Sequence, residues 1–430
     1  ELFGFKIERL GTQSTDPRQN IVPPQAEDGT QTVPAGGFFA SYGGFDTNAR
    51  NELDLIRRYR EVALHPECDL AIEDIVSEAI VSNENQQSVQ LDLSKIAYSD
   101  SIKKKMRDSF SEVLKLLMFD IKGHDIFRRW YVDGRLYHHL VVDENNLAAG
   151  IQEIRYIDAA KIRKVKQVKK KKDPVTGASL VEKIDEFYIY QEKPGNQQSA
   201  IKLTNDSVSY CTSGLLDEHR KKVVSFLHKA LKPITQLRMM EDSLVIYRLA
   251  RAPERRMFYI DVGNLPRGKA EQYMKDIMAK YRNKLVYDAK TGEIRDDRKH
   301  MSMLEDFWLP RREGGRGTEI STLPGGENLG QIEDIIYFQK RLYRSLNVPL
   351  NRLEQEQQFS LGRATEISRD ELKFQKFIDR LRNRFATFFY DILKKQLLMK
   401  NIITEEDWST WKNEVNLDFT RDNHFSELKE

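Results

Sequence analysis

The chain has 430 residues, 40% hydrophobic and 31% charged, and its 69 lysines and arginines stand against 66 acidic residues for a net charge of +3. A length of this order holds two or three compact units of ~150 residues each. The composition excludes an intrinsically disordered polypeptide, and the charge excludes a uniformly basic wrapper of nucleic acid.

Residues 1–45 are rich in Gly, Gln, Thr and Pro and carry few large apolar groups, which predicts an extended arm that needs a neighbour to order it. From 48 to 81 the spacing turns helical, with Leu53, Ile56, Tyr59 and Val62, then Leu70, Ile72, Ile75 and Ala79. Pro66 separates two helices there, because its ring suits a first turn and not an interior. The segment 100–119 predicts a further amphipathic helix on Met106, Phe110, Val113, Leu116 and Leu117.

Residues 128–143, "RRWYVDGRLYHHLVVD", alternate around Asp133-Gly134 and predict a β-hairpin. The following "IQEIRYIDAAKIRKVKQVKKKKDPVTG" and "IDEFYIYQE" continue as strands, so the first third reads as helices on a small antiparallel sheet. A helix is expected over 223–250, with Pro233 kinking or restarting it. A compact excursion at 251–328 follows: the strand "RMFYIDV", the helix "GKAEQYMKDIMAKYRNKL", the strand "LVYD" and a glycine-rich stretch. A second helix over 329–348, ended by Pro349, brings the chain back; the two rods read as matched in length and as a helical hairpin carrying a small domain on its tip. After a polar loop comes a stripe from Ile367 through Phe374, Phe385 and Phe389 to Leu393, a helix over 364–400 of roughly 50 Å at 1.5 Å per residue. A short helix with two tryptophans closes the chain. The class is α+β, mainly helical.

Tests for chemistry find little. "REGGRGTE" (312–319) has glycines but no Lys-Ser/Thr to grip phosphates, so it reads as a basic surface loop. HExxH and GxSxG are absent, and the histidines show no ligand spacing. His138 and His139 are adjacent on a strand and point to opposite faces. Cys68 and Cys211 form no CxxC and fit a reducing compartment. No catalytic, cofactor or metal site is expected. Basic clusters stand out instead: Lys161, Arg163, Lys164, Lys166 and Lys169–Lys172, read as a solvated hairpin tip or as a contact to DNA or an acidic partner; Arg248, Arg251, Arg255 and Arg256 at a helix-to-strand change; and Arg311, Arg312 and Arg316 beside the glycines.

"YREVALHPECDLAIEDIVSEAIV" (59–81), "MMEDSLVIYRLARAPERRMFYIDVGNLP" (239–266) and "LGQIEDIIYFQKRLYRSLNVPLNRL" (329–353) together resemble the portal, or head-to-tail connector, proteins of T4-like tailed phages. The resemblance implies the portal-type order: an arm (1–45), the first part of an α+β wing (46–222), stem helix 1 (223–250), an α/β clip (251–328), stem helix 2 (329–348), a channel loop (349–363), a long wing helix (364–400) and a helical crown (401–430). It implies a homo-oligomeric ring of twelve subunits in the virion, at one capsid vertex, through which double-stranded DNA is packaged and ejected. Implied partners are the terminase large subunit, the major capsid protein and scaffold, and the neck or head-completion proteins. Assembly would take place in the host cytoplasm, with the inner membrane an open alternative. The implied DNA-facing loop carries Asn351, Arg352, Glu354, Gln355, Glu356, Gln357, Gln358 and Arg363. Its near-balanced charge suits weak, reversible contact with a sliding duplex.

The arginine corner at 248–256 would hold subunit or motor carboxylates, and Arg311, Arg312 and Arg316 would meet the motor. Readings of another class, a monomeric DNA-binding adaptor or a packaging nuclease, would need a groove-entering motif or a carboxylate constellation.

Overall fold

The structure is a computed structural model, and it describes residues 28–34, 42–81, 87–96, 98–172, 179–192, 200–218, 222–251, 255–281, 285–287, 294–296, 307–311, 319–323, 332–352, 361–412 and 414–421. The chain divides into two units, residues 1–231 with 343–430 and residues 232–342. A body is therefore interrupted once by an insertion and resumed.

In the body, the helices α1 (Tyr42–Ala63) and α2 (Pro66–Ala79) break where expected, with Pro66 at the first helical position. The helix α3 (Asp100–Leu117) buries Met106, Phe110, Val113 and Leu117, and a left-handed Met118 turns the chain straight into α4 (Phe119–Asp133). Here the hairpin expectation is corrected. Asp133 ends a helix, and Gly134, at φ +71°, is its left-handed cap, donating its N–H to the Trp130 carbonyl at 2.9 Å. Only then does the strand β3 (Arg135–Val142) begin. Asp-Gly signals a left-handed glycine, and a helix terminus uses that conformation as well as a hairpin does. The packing of the buried Phe127 and Trp130 on one face decides between them.

β3 is the centre of a three-stranded antiparallel sheet between β4 (Ile151–Ile157) and β8 (Val208–Thr212). A second sheet runs β1 (Gln31–Pro34), β5 (Ile162–Lys172), β6 (Ser179–Gln191) and β7 (Ala200–Thr204). In the arm, expected over 1–45, Gln31–Pro34 form a strand, β1, paired in parallel with β5, and α1 already begins at Tyr42. The strand β2 (Val89–Asp92) pairs with β14 (Asn416–Phe419), so the C-terminal stretch adds a strand to the expected short helix.

The insertion holds most of α5 (Leu231–Arg251), then β9 (Arg255–Asp261), α6 (Arg267–Tyr281), β10 (Leu285–Tyr287), β11 (Ile294–Asp296), β12 (Phe307–Arg311), β13 (Glu319–Leu323) and most of α7 (Glu333–Leu346). β9 lies between a parallel β12 and an antiparallel β13, and Ile260, Val262, Ala270 and Met274 form a small core beneath α6. α5 has 21 residues and α7 has 14, so the two rods are not matched in length. Pro233 sits in the first turn of α5, which follows a 3-10 turn at Phe226–Ala230; the proline restarts the helix rather than kinking it. Arg341 donates to Gln236 at 3.4 Å, so the end of α7 lies beside the start of α5, as in a helical hairpin.

Back in the body, α8 (Leu361–Met399) is 39 residues, roughly 58 Å long. It buries Phe374, Phe385, Phe388, Phe389, Ile392 and Leu393 against the other helices. Phe385 meets Phe127 and Trp130 at ring distances of 5.0 and 5.3 Å, and Phe389 meets Phe119 at 5.1 Å. The helix α9 (Glu405–Trp411) starts with a reciprocal cap between Thr404 and Asp407.

Candidate channel and docking elements

The segment that the sequence marks for the channel begins at the end of α7. Asn347, at φ +61°, closes that helix: its N–H reaches the Arg344 carbonyl at 3.3 Å and the Val348 N–H reaches Tyr343 at 3.1 Å. Pro349 then prevents continuation, and the chain makes a 3-10 turn at Leu350–Arg352. Arg352 is the last described residue before 361, and its guanidinium is held inside the body. Its Nε and Nη2 donate to the two carboxylate oxygens of Glu371 on α8, at 2.9 and 2.8 Å. Nη2 also reaches Glu78 on α2 at 3.1 Å, and the group lies 4.5 Å over the Phe374 ring. Burial alone would ease its proton off; Glu371 and Glu78 outweigh that and hold the charge more firmly than usual. Arg352, expected to face DNA, is bound to protein carboxylates in this chain.

Asp74 stands in the same cluster. Burial raises its carboxyl pKa, Arg352 opposes, and Glu371, Glu78 and Glu73 raise it further. Glu354, Gln355, Glu356, Gln357 and Gln358 lie outside the described residues. Asn351 is in the 3-10 turn, and Arg363, expected in the loop, belongs to the first turn of α8; the side chains of both also lie outside the described residues.

Two further polar residues on α8 tie that helix to the rest of the body, and sequence reading missed both. Arg382 is buried and donates to the carbonyls of Ala79 at 2.9 Å, Glu78 at 2.8 Å and Thr420 at 3.1 Å. It thereby satisfies the C-terminal carbonyls of α2, and burial lowers its pKa. Gln396 accepts from the Ile151 N–H at 2.7 Å and donates to Glu112 at 3.0 Å. Their only sequence signal is a polar side chain on the apolar face of a long helix.

At the arginine corner the expected change of structure is present. Arg251 closes α5, and Arg255 and Arg256 open β9, opposite Leu323 and Thr322 of β13. Arg248 is exposed on α5; the side chains of the other three lie outside the described residues. In the insertion, Arg311 ends β12, donates to Glu319 at 2.8 Å and lies 5.9 Å from the Tyr259 ring; Arg312 and Arg316 lie outside the described residues.

The lysine-rich run is a hairpin, β5 with β6. Lys164 pairs with Asp28 at 2.8 Å and Glu186 at 2.9 Å, and Lys166 pairs with Glu186 at 2.8 Å. These two cations are thus used within the chain; the side chains of Lys169–Lys172 lie outside the described residues. Cys68 and Cys211 are buried thiols, each pushed up to about 12 by burial. Among the described residues no group of three or more His, Cys, Asp or Glu is placed to hold a metal, and no helix is long and apolar enough to cross a membrane.

Comparison with known proteins gives a family. The profile of the Bacteriophage T4-like portal protein (Gp20) matches residues 52–430. The portal protein of Vibrio phage KVP40 is 42% identical over 392 residues, covering 88% of this chain and 76% of that protein. The portal protein of Salmonella phage ViI is 33% identical over 443 aligned residues, covering 98% and 78%. Among solved structures, a chain from the neck of a native GTA particle computed with C12 symmetry superposes with a TM-score of 0.44 at 10% identity, covering 86% of this chain and 84% of that one. A chain from the virion of a native gene transfer agent particle superposes with 0.44 at 12% identity, covering 84% and 88%. On the profile match and the two phage relatives, the chain belongs to the T4-like bacteriophage portal protein family, a structural component of the virion.

Proposed function

We propose that the chain assembles as a ring of twelve copies at one capsid vertex and forms the conduit through which double-stranded DNA is packaged and later ejected. Residues 1–45 are the arm, 46–222 and 364–400 the wing, α5 and α7 the stem, 251–328 the clip, 349–363 the channel loop and 401–430 the crown. The terminase large subunit docks first on the clip, neck proteins take that place afterwards, and the wing meets the major capsid protein and scaffold. The chain supplies a path and docking surfaces, with no catalytic step of its own.

The observation that carries this reading is the match to phage portal proteins over residues 52–430. The hairpin supports it physically. α5 exposes Met239 (65%), Ile246 (51%), Val245 and Tyr247, and α7 exposes Tyr337 (61%), an apolar surface that a neighbouring copy in a ring would bury. The test is the native mass of the particle. Twelve chains of 50.2 kDa give about 600 kDa. Monomers at every protein concentration and salt would overturn the proposal.

A further inference from the structure

We propose that residues 28–34 are a clasp: a short strand that docks on the edge of β5, locks two sheets of the body to the turn leading into α5 through Asp28 and Gly29, and opens as a unit before the body unfolds. Two residues that suit this placement bound the segment. Gly29, at φ +68°, takes a left-handed turn, and Pro34, which has no N–H to donate, ends a strand at the edge of its sheet. Between them the chain runs parallel to β5, with Gln31 in register with Val165 and Val33 with Gln167.

Asp28 is the anchor. Its carboxylate accepts from Lys164 Nζ of β5 at 2.8 Å, and its backbone carbonyl accepts from the Tyr210 hydroxyl of β8 at 2.9 Å. Those strands belong to different sheets, so one residue holds both. The carboxylate also accepts from the Thr30 N–H at 3.2 Å and from the Thr30 hydroxyl, which fixes the turn between them. The Lys164 side chain is only 14% exposed and pairs with Glu186 at 2.9 Å as well. A lysine this buried needs its acids, and losing one costs more than breaking an exposed pair.

Gly29 makes the third attachment. A Cβ there would stand 2.9 Å from the Val223 nitrogen, so the segment lies against that backbone only because it carries a glycine. Val223 is itself fixed, since its carbonyl accepts from Arg135 Nη2 at 2.7 Å. Two residues on, Ser225 caps the 3-10 turn Phe226–Ala230 by accepting the Leu227 N–H at 3.0 Å, and α5 starts from that turn at Leu231. The docked segment therefore bears on the stretch that sets the start of α5. Its hold is nevertheless local: a four-residue strand at a sheet edge, one ion pair and a few hydrogen bonds. Regions with so few ladder bonds open at lower free energy than the packed core. The three attachments meet at adjacent residues, so they release together.

The experiment is hydrogen exchange of the full chain read by mass spectrometry. In the wild type the amides of 31–33 and 223–227 should open together, well before those of 136–140 in β3. Gly29→Val should speed exchange at 223–227 by roughly ten-fold or more and leave 136–140 unchanged. If that variant does not fold, the milder Asp28→Ala decides, with the same pattern expected. Thr32→Cys with Lys166→Cys, which face each other in register, should bridge within one chain on oxidation and run at single-chain mass on a non-reducing gel. Unchanged exchange at 223–227 in both variants would overturn the proposal. So would faster exchange throughout the body, which would make the segment part of the core, and so would bridges joining two chains, which would make the strand an exchange between copies. None of these readings depends on ring formation, so the clasp and the portal reading fail separately.

Discussion

Arg352 and Glu371 form a two-pronged ion pair, Nε and Nη2 to the two carboxylate oxygens at 2.9 and 2.8 Å, one before the 353–360 segment and one on the helix after it. Arg352 precedes that segment, and Glu371 stands on α8 about 15 Å along the axis from Leu361, so the pair anchors the turn to the flank of the helix. Planar, two-bond pairing fixes the relative orientation of the turn and α8 as well as their distance.

Arg352→Ala should destabilise the body by about 2 kcal/mol, short of the roughly 3–5 kcal/mol of a fully buried pair because the arginine keeps some solvent contact. The cost should depend on pH. Burial and the neighbouring carboxylates already raise Asp74 above its ordinary 3.8, and Arg352 is the group that restrains the rise. A folded-state pKa above the unfolded one gives stability that is present when the acid is protonated and lost as pH rises through the folded value. The variant should therefore lose more, relative to wild type, at pH 7 than near pH 4. Urea unfolding at the two pH values measures this, and an equal loss at both would show that Asp74 does not respond.

Deleting residues 353–360 and bridging Arg352 to Leu361 with a short glycine linker should leave rings of native mass but impair DNA translocation or retention. The Arg352–Glu371 pair holds the turn at Leu350–Arg352 against α8 without the intervening residues, so the linker has only to reach the start of that helix. Electron microscopy and a packaging assay read the two outcomes. Loss of rings would make the segment an assembly element.

Gly134→Ala should cost about 3 kcal/mol or more. A methyl group there meets the Ser225 Cα and the Val224 carbonyl oxygen, both at 2.8 Å, on a backbone at φ +71° that alone costs about 1–2 kcal/mol for alanine. Gly263→Ala, at φ +49° with nothing within 4 Å, should cost about 1 kcal/mol. Denaturation of each variant checks the order, and similar costs would mean that the Ser225 backbone yields.

His138 is held neutral. Burial, and then the Arg129 guanidinium, push its pKa down from 6.5 to about 3, and its Nδ1 has no partner among the described residues. A depressed histidine binds its proton more readily in the unfolded chain, so stability is full above pH 6.5 and falls as pH drops toward 3. His138→Phe, which keeps a ring beside Phe388, should lose less stability than wild type between pH 7 and pH 5. Denaturant midpoints at both values test it; identical losses would remove His138 from the acid response.

Arg311→Glu combined with Arg316→Glu should leave rings assembled and weaken terminase binding, most at low salt, since exposed charges act chiefly on association rate. Arg311 is paired with Glu319, but the pair is surface-exposed and worth about 0–1 kcal/mol, so stability should hardly change. The swap Arg311→Glu with Glu319→Arg restores the pair while altering the surface. Titration of the motor at two salt concentrations separates the cases, and equal affinity for all variants would move docking elsewhere.

Periodicity and proline placement by themselves determined the helices of this protein apart from α4. Pro66 between α1 and α2, the stripe from Phe374 to Leu393 and the excursion between two rods are local signals, because each rests on backbone geometry within a few residues. The family was legible in three long stretches of sequence, 59–81, 239–266 and 329–353. Where local signals were degenerate, only tertiary structure decided. Asp133-Gly134 suits a hairpin or a helix end, and the packing of Phe127 and Trp130 on Phe385 selects the helix. Arg352, Arg382 and Gln396 carry no local mark of their partners, which lie 19 to 304 residues away. A charged or amide side chain reads as solvent-facing until the fold brings an acceptor beside it, and burial then makes that contact obligatory.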